Sequence, residues 1–407
     1  LCTREPERAM TAITWIEGGA VRSAGWRPEN GATPPRDIVV IDDDIAADSA
    51  LRMARAGTGL LWRGDFHNAR QLMRALDRRL EKQASRRASR KASRSSNTSN
   101  VSRGVETGDL FHANRLARSQ RAAVLGRILI ELEPDHTIRL RRAPDVREAC
   151  EHAYGPPADE GAGESTLVSL PEILGVISAF EWHRKGIEVA ALGERIYPAY
   201  GVFAPTRDEY IDPVAEAAWP PGVDRPMVFD LGTGTGVLAV LLARRGAREV
   251  VATDINPRAV RCAVDNADRL GVADRVRVEE ADLWPAAPER ADVVVCNPPW
   301  IPGRPTSALE QGIYDPKSDM VHRYLGELAQ HLTPQGEGWL ILSDLAELLG
   351  LRTREEFLRR ITDAGLIVVG RHETTPRHPR ATDDADPLHA ARAGERTMLW
   401  RLAARGS

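Results

Sequence analysis

The 407-residue chain reads as an α/β protein, a doubly wound sheet in its C-terminal half preceded by a separate α+β N-terminal domain. Three observations predict this. The short apolar run Met227-Val228-Phe229-Asp230-Leu231 leads into the glycine loop Gly232-Thr233-Gly234-Thr235-Gly236 and then into the apolar, helix-like run Val237 to Ala243. Beyond it, runs of strand length alternate with runs of helical spacing as far as Leu402, as expected where helices cover the faces of a mostly parallel sheet. Before it, a Gly/Pro/acid-rich stretch from Gly155 to Glu164 divides the chain. The expected organisation is an N-terminal domain over 1–154, a linker with a connecting helix and hairpin over 155–196, and a core domain over 197–407.

In the N-terminal part, short apolar runs such as Asp37 to Ile41 alternate with charged turns. Asn68 to Leu80 carries Leu72, Met73, Leu76 and Leu80 at helical spacing, which is a core face. A tetrad repeat follows, Ala84-Ser85-Arg86-Arg87, Ala88-Ser89-Arg90-Lys91, Ala92-Ser93-Arg94, with neither acidic nor large apolar residues. It cannot help to build a core and reads as a disordered basic insertion near 82–105. Such a run can attract RNA, an acidic partner or a membrane surface, but no aromatic residues are interleaved to stack on bases, and a solvated loop is the simpler reading. Helical spacing resumes at Leu110 to Leu125. Gly126 to Leu132 and Thr137 to Leu140 are expected as a hairpin turning at Pro134-Asp135, and Asp145 to Tyr154 as a short helix. Ser169-Leu170-Pro171-Glu172 has the form of a capping box opening a helix to about Arg184.

In the C-terminal half the strand Glu249 to Thr253 ends in Asp254. Arg275 to Glu280 leads to Ala281-Asp282-Leu283-Trp284, and Ala291 to Cys296 ends in Asn297-Pro298-Pro299-Trp300. Asp319 to Leu332 is expected as a helix with Met320, Tyr324, Leu325, Leu328 and Leu332 on one side. Gly338 to Ser343, Leu366 to Gly370 and Thr397 to Leu402 are expected strands, Glu355 to Ala364 a helix, and Arg371 to Glu395 a solvated loop.

Two of these turns carry chemistry. A glycine loop between an apolar strand and a helix start is where α/β folds bind nucleotides. Its G-x-G-x-G spacing departs from the dinucleotide G-x-G-x-x-G pattern, and Asp254 lies roughly the twenty residues on at which a ribose-binding acid is expected. The loop alone therefore admits two cofactors. The turn at Asn297 is a device for gripping a planar nitrogen. Pro298 and Pro299 fix φ and remove two donors, so that the Asn297 side-chain oxygen and the Pro298 carbonyl can accept N–H groups while Trp300 stacks on the flat group. That pattern points to methyl transfer to nitrogen. Such a displacement needs positioning more than acid/base help, and well-oriented approach removes about 7 to 11 kcal/mol of barrier. Carbonyl dipoles can stabilise the charge that develops on the attacked nitrogen.

Taken together, these elements resemble the class I S-adenosylmethionine-dependent methyltransferases over about residues 195 to 403, and the Asn-Pro-Pro-Trp turn resembles their amino-methyltransferase branch. The resemblance implies a Rossmann-like seven-stranded sheet with its last strand antiparallel, with S-adenosyl-L-methionine as cofactor. It places Asp230, Gly232, Thr233, Gly234 and Gly236 at the methionine end, Asp254 and Ile255 at the ribose, Asp282 and Leu283 at the adenine, and Asn297 between cofactor and acceptor. Tyr197 to Tyr210, through Val202-Phe203-Ala204-Pro205-Thr206-Arg207-Asp208-Glu209, is similar to the segment preceding the core in protein-(glutamine-N5) methyltransferases, with Pro-Thr-Arg for the usual Pro-Arg-Pro and Trp300 for the usual tyrosine. The catalytic set is then Asn297, Pro298, Pro299 and Trp300, with Trp300, Tyr200, Phe203 and Tyr314 as substrate contacts and Asp315 beside them.

The acceptor stays open: a glutamine side chain of a protein, a small molecule bearing an amide, amine or guanidine, or a nucleobase. A nicotinamide-dependent oxidoreductase would use the glycine loop and Asp254 but leave the Asn297 turn without a role, and a non-catalytic binding protein would retain the sheet and act through the basic repeat. The net charge of -3 gives no global nucleic-acid signal. The four cysteines, Cys2, Cys150, Cys262 and Cys296, lack metal-ligand spacing; Cys262 and Cys296 are expected as buried thiols and no metal is expected. His183 and His322 are expected as surface or packing histidines. Without a leader or an apolar span, a reducing cytoplasm is the expected home.

Overall fold

A computed structural model describes residues 11–28, 31–95, 103–157, 163–286, 289–305, 308–377 and 388–406. The chain divides into two compact units, one of residues 1–102 and 112–180, the other of 103–111 and 181–407.

The first unit is built on a six-stranded mixed sheet of order β1-β2-β6-β5-β4-β3. Its elements run β1 (Thr11–Glu17), β2 (Ala20–Trp26), β3 (Ile38–Ile41), α1 (Ala47–Ala56), β4 (Gly59–Trp62), α2 (Phe66–Ser95), α3 (Arg103–Leu125), β5 (Ile128–Leu132), α4 (Arg147–Tyr154), β6 (Thr166–Ser169) and α5 (Leu170–Lys185). Fully buried Leu60, Leu61, Ile128, Leu129, Ile130 and Leu167 fill its central strands. Three expectations are corrected here. Thr137 to Leu140 is not a strand; β5 pairs instead with β6, antiparallel, and with β4, parallel. β6, expected within a linker, is therefore a central strand of this sheet. The expected disordered insertion is helical through Ser95 and again from Arg103, with 96–102 outside the described residues. Alanine and arginine are strong helix formers and the repeat contains no proline or glycine, so a segment unable to make a core can still extend α2. Ser169 caps α5 through its hydroxyl, which accepts from the Glu172 N–H at 3.2 Å.

The second unit holds the small hairpin β7 (Ile187–Val189) and β8 (Glu194–Ile196), then α6 (Ile211–Glu216), β9 (Met227–Leu231), α7 (Val237–Arg244), β10 (Glu249–Asp254), α8 (Pro257–Arg269), β11 (Val276–Glu280) and β12 (Ala291–Cys296). After these come β13 (Ile301–Pro302), α9 (Ala308–Gln311), β14 (Tyr314–Asp315), a single tight turn Pro316–Ser318, α10 (Asp319–His331), β15 (Leu332–Ser343), α11 (Leu345–Leu348), α12 (Arg354–Asp363), β16 (Leu366–Thr374), α13 (His389–Gly394) and β17 (Thr397–Ala404). The sheet has seven strands in the order β11-β10-β9-β12-β15-β17-β16. β9, β10, β11, β12 and β15 pair in parallel, and β17 runs antiparallel to both its neighbours. α7 is buried all round and closes one face with Val228, Val250 and Val293, whereas Phe229, Val294 and Leu340 meet Tyr324, Leu325 and Leu328 of α10 on the other. The loop expected to be solvated is shorter at both ends: β16 extends to Thr374 and α13 precedes a buried Glu395.

The order reverses between β9 and β12. In open α/β sheets the crevice outside the carboxyl ends of the strands at such a reversal is where ligands bind. The register brings the glycine loop, Asp254 and the Asn297 turn there, since Leu231 lies beside Thr253 on one side and Cys296 on the other.

Candidate active site

On the β9 side the site is made largely of main chain. Gly232, Gly234 and Gly236 all have positive φ, at 71°, 57° and 79°. At Gly236 a Cβ would lie 3.0 Å from the Ala263 Cα, so this glycine lets α7 approach α8; at Gly234 the same position is open space, which leaves room for a ligand against the backbone. Gly232 and Thr233 N–H groups both donate to the Thr253 carbonyl at 2.9 Å, Gly236 N–H to the Thr233 carbonyl at 2.9 Å, and Gly234 N–H to Asp254 Oδ2 at 2.9 Å. Asp230 is buried beneath the loop, where its carboxylate takes the Thr233 hydroxyl at 2.6 Å. Burial pushes this carboxyl up to about 7, opposed by the Thr233 hydroxyl and the Ala239 N–H, which favour its charged form. Four N–H groups of the loop, those of Gly232, Thr233, Gly234 and Gly236, are thus already engaged by the protein, which leaves fewer of its donors for a pyrophosphate. This geometry fits a cofactor without phosphates better than a dinucleotide, and it places Asp230 as the support of the loop.

Asp254 is held by its neighbours. Its Oδ1 accepts from the Asn256 N–H at 2.9 Å, and burial raises its carboxyl while the N–H groups of Asn256, Gly234 and Ile255 counter that. Beside it Ile255 is 63% exposed, an apolar surface left at the mouth of the crevice. Leu283 is buried with φ 79°, a left-handed conformation that costs a branched residue of order 1–3 kcal/mol and is concentrated at binding sites. The Thr253 hydroxyl holds it there through the Leu283 carbonyl at 2.6 Å. Asp282 is turned outward, paired with Arg323 at 2.9 Å. The residues present therefore fit an adenosine-bearing cofactor: a carboxylate for a ribose, apolar Ile255 and Leu283 for a flat base, and an open backbone at Gly234.

On the β12 side the site is made of side chains. The Trp300 indole N–H donates to Asn297 Oδ1 at 2.9 Å, and the Asn297 side chain also hydrogen-bonds the buried Tyr210 hydroxyl, in the sense that favours the phenolate. The carboxamide is held from both ends, its oxygen accepting from Trp300 and its side chain engaged by Tyr210. The Arg207 guanidinium lies over the Trp300 ring at 5.0 Å. The loop beyond is tied back by the short parallel pair Ile301–Tyr314 and Pro302–Asp315. Trp300, Tyr314 and Ile313 pack against the apolar cluster of Ile301, Leu345, Leu349 and Leu388.

The other expected contacts separate. Phe203 packs against the loop: a Cβ on Gly312 would meet its Cβ at 2.9 Å. Tyr200 lies against Arg258 of α8 and belongs to the Asp254 side. Asp315 accepts the Met320 N–H at 2.9 Å; it holds the start of α10, and burial pushes its carboxyl up to about 6 against the N–H groups of Met320, Asp319 and Val321. His183 engages the Pro198 carbonyl at 3.2 Å, and His322 lies on α10 with its basicity lowered by burial. Cys150, Cys262 and Cys296 are buried free thiols. Among the described residues no cluster of His, Cys, Asp or Glu is placed to hold a metal ion, and no helix is long and apolar enough to cross a membrane. Tyr210, Ser343 and Glu395 were not signalled as site residues by the sequence.

The family model for ribosomal protein L11 methyltransferase (PrmA) matches residues 222–298, the span from just before β9 to the Asn297 turn. The release factor glutamine methyltransferase of Cereibacter sphaeroides is 48% identical over 83 residues, 20% of this chain and 30% of that one. A tRNA1(Val) (adenine(37)-N6)-methyltransferase of Shewanella loihica is 27% identical over 176 residues, 41% of this chain and 72% of the relative. Among solved structures, a SAM-dependent methyltransferase from Thiobacillus denitrificans in complex with S-adenosyl-L-homocysteine aligns with a TM-score of 0.34 and 19% identity, covering 50% of this chain and 92% of that one. The chain spans about 30% of the length of the release-factor relative.

Proposed function

We propose that this chain, whose residues 222–298 carry a core shared with class I S-adenosylmethionine-dependent methyltransferases, transfers a methyl group from S-adenosyl-L-methionine to a planar nitrogen. The observation that carries the reading is the Asn297 carboxamide, fixed by Trp300 and Tyr210 beside the glycine loop. When bound, S-adenosyl-L-methionine supplies a sulfonium methyl open to in-line attack. Asp254 would hold the ribose, Ile255 and Leu283 the adenine, and the main chain at Gly232 and Gly234 the methionine end, with Asp230 bracing the loop. Asn297 Oδ1 and the Pro298 carbonyl would each accept one N–H of the acceptor, turning the nitrogen lone pair toward the methyl. With the carboxamide held by Trp300 and Tyr210, its dipole would be set before the charge develops on nitrogen, which lowers the reorganisation needed at the moment of transfer.

The acceptor class this grip suits best is a primary amide, as in a glutamine side chain or a small molecule bearing the same group. The release factor glutamine methyltransferase relative shares 48% identity over 83 residues. The exocyclic amine of a nucleobase presents the same two N–H groups, and the longer match to the tRNA adenine enzyme favours it as the second reading. Incubation with methyl-labelled cofactor and separate pools of small metabolites, protein and RNA tests this. Label in the protein or metabolite pool, on an amide nitrogen, supports the first reading and label in RNA the second. Label on carbon or oxygen, or in no pool, contradicts both.

A further inference from the structure

Arg207 has no role in the reaction described above, yet the fold holds it with unusual care. Its guanidinium is 2.8 Å from Glu209 and 3.0 Å from Glu395, and the two carboxylate side chains are 1% and 2% exposed. Glu395 is itself fixed by the Ser343 hydroxyl at 2.6 Å. Two carboxylates on one flat cation define the plane of that cation, because the fork of N–H groups matches carboxylate geometry. The plane so defined lies over Trp300 at 5.0 Å, and Trp300 in turn donates to Asn297 Oδ1 at 2.9 Å. Trp300 therefore has its ring held from the face and its N–H engaged at the edge. Residues 207 and 395 lie 188 positions apart, so the clamp joins the segment leading into the sheet to the turn before its last strand.

We propose that Arg207 is a positioning residue for the acceptor grip: clamped by Glu209 and Glu395, it fixes the Trp300 ring, and Trp300 fixes the carboxamide of Asn297. This rests on the methyltransferase reading for its meaning in catalysis, while the clamp itself can be measured without it. The chemistry also assigns each partner a separate consequence. Lysine at 207 keeps the positive charge between the carboxylates and loses the flat plate over the ring. Glutamine at 395 keeps the plate and loosens its plane.

The test uses the full chain labelled with 5-fluorotryptophan. It has nine tryptophans, and the ¹⁹F resonance of Trp300 is the one missing in Trp300→Phe. In Arg207→Lys that resonance should move while the others stay in place. Affinity for S-adenosyl-L-homocysteine should stay within about twofold of wild type, and turnover of the labelled acceptor should fall by about ten- to a hundredfold, the size expected when a gripping group is displaced by a fraction of an ångström. In Glu395→Gln the same resonance should move by less; should the lysine variant not fold, this one carries the test. A Trp300 resonance unmoved in the folded variants overturns the proposal, as does a moved resonance with wild-type turnover. A wild-type chain that binds no S-adenosyl-L-homocysteine would instead defeat the methyltransferase reading, and the resonance would still report whether Arg207 holds the ring.

Discussion

The two halves of the crevice are built on different plans. On the β9 side the glycine loop is shaped by main-chain hydrogen bonds among residues close in sequence or on the adjacent strand, such as Gly232 and Thr233 to the Thr253 carbonyl. On the β12 side the grip is shaped by side chains drawn from separate segments: Arg207 and Tyr210, Asn297 and Trp300, Ser343, and Glu395. A backbone-built site binds whatever fits its contour and tolerates change in the side chains around it. A side-chain-built site depends on each member of its network, and it is where a chain that keeps a common cofactor can acquire its own acceptor.

Substitutions should separate the halves accordingly. The largest effect is expected for Asn297→Ala. It removes the acceptor oxygen and leaves the Trp300 N–H and Tyr210 hydroxyl without their partner, so turnover should drop by about 10²- to 10³-fold, as for loss of a preorganised transition-state contact. Calorimetry should find S-adenosyl-L-homocysteine affinity nearly unchanged; an equal loss in both would mean that the halves are not separable. Gly236→Ala should do the reverse. Its Cβ would meet the Ala263 backbone at 3.0 Å in a residue with φ 79°, a combination expected to cost about 1–3 kcal/mol. Denaturant titration should show the loss of stability and calorimetry a weakened cofactor site, with wild-type stability arguing against the assigned packing role.

A smaller effect belongs to Tyr210→Phe. The ring stays buried while one hydrogen bond to Asn297 goes, worth about 0.5–1.5 kcal/mol, so turnover should fall several-fold with cofactor affinity kept. The last, read in stability rather than in turnover, is a pH dependence at Asp230. Because burial raises this carboxyl from 3.8 to about 7, the folded state binds a proton there that the unfolded state has already released between those values. The stability linked to that proton is fully present below pH 3.8 and lost as pH rises through about 7. Asn at 230 cannot lose it, so the melting temperature of Asp230→Asn relative to wild type should climb between pH 5 and pH 8; a constant difference would place the ionisation elsewhere.

This contrast also explains what the sequence could disclose. The seven strands of the second unit's large sheet and the turns at Asp230, Asp254, Leu283 and Asn297 are local signals, an apolar run followed by a turn residue, and each stands in the structure where its run ends. The clamp is not local. Glu395 closes a polar stretch that composition reads as solvated, and only the fold buries it against Arg207 and Ser343. Likewise the pairing of Asp282 with Arg323 of α10 joins residues 41 positions apart and has no local signal in the sequence. In the first unit the tetrad repeat shows the limit of composition, since an inability to form a core was read as disorder where the residues favour helix.

The most direct measurement is calorimetric titration of the full chain with S-adenosyl-L-methionine, S-adenosyl-L-homocysteine and NAD, repeated with Asn297→Ala. The loop whose N–H groups are already engaged by Thr253, Thr233 and Asp254 should bind the first two, with the variant retaining that binding, and should give no heat with NAD. Saturable binding of NAD without binding of either sulfur ligand would contradict the account.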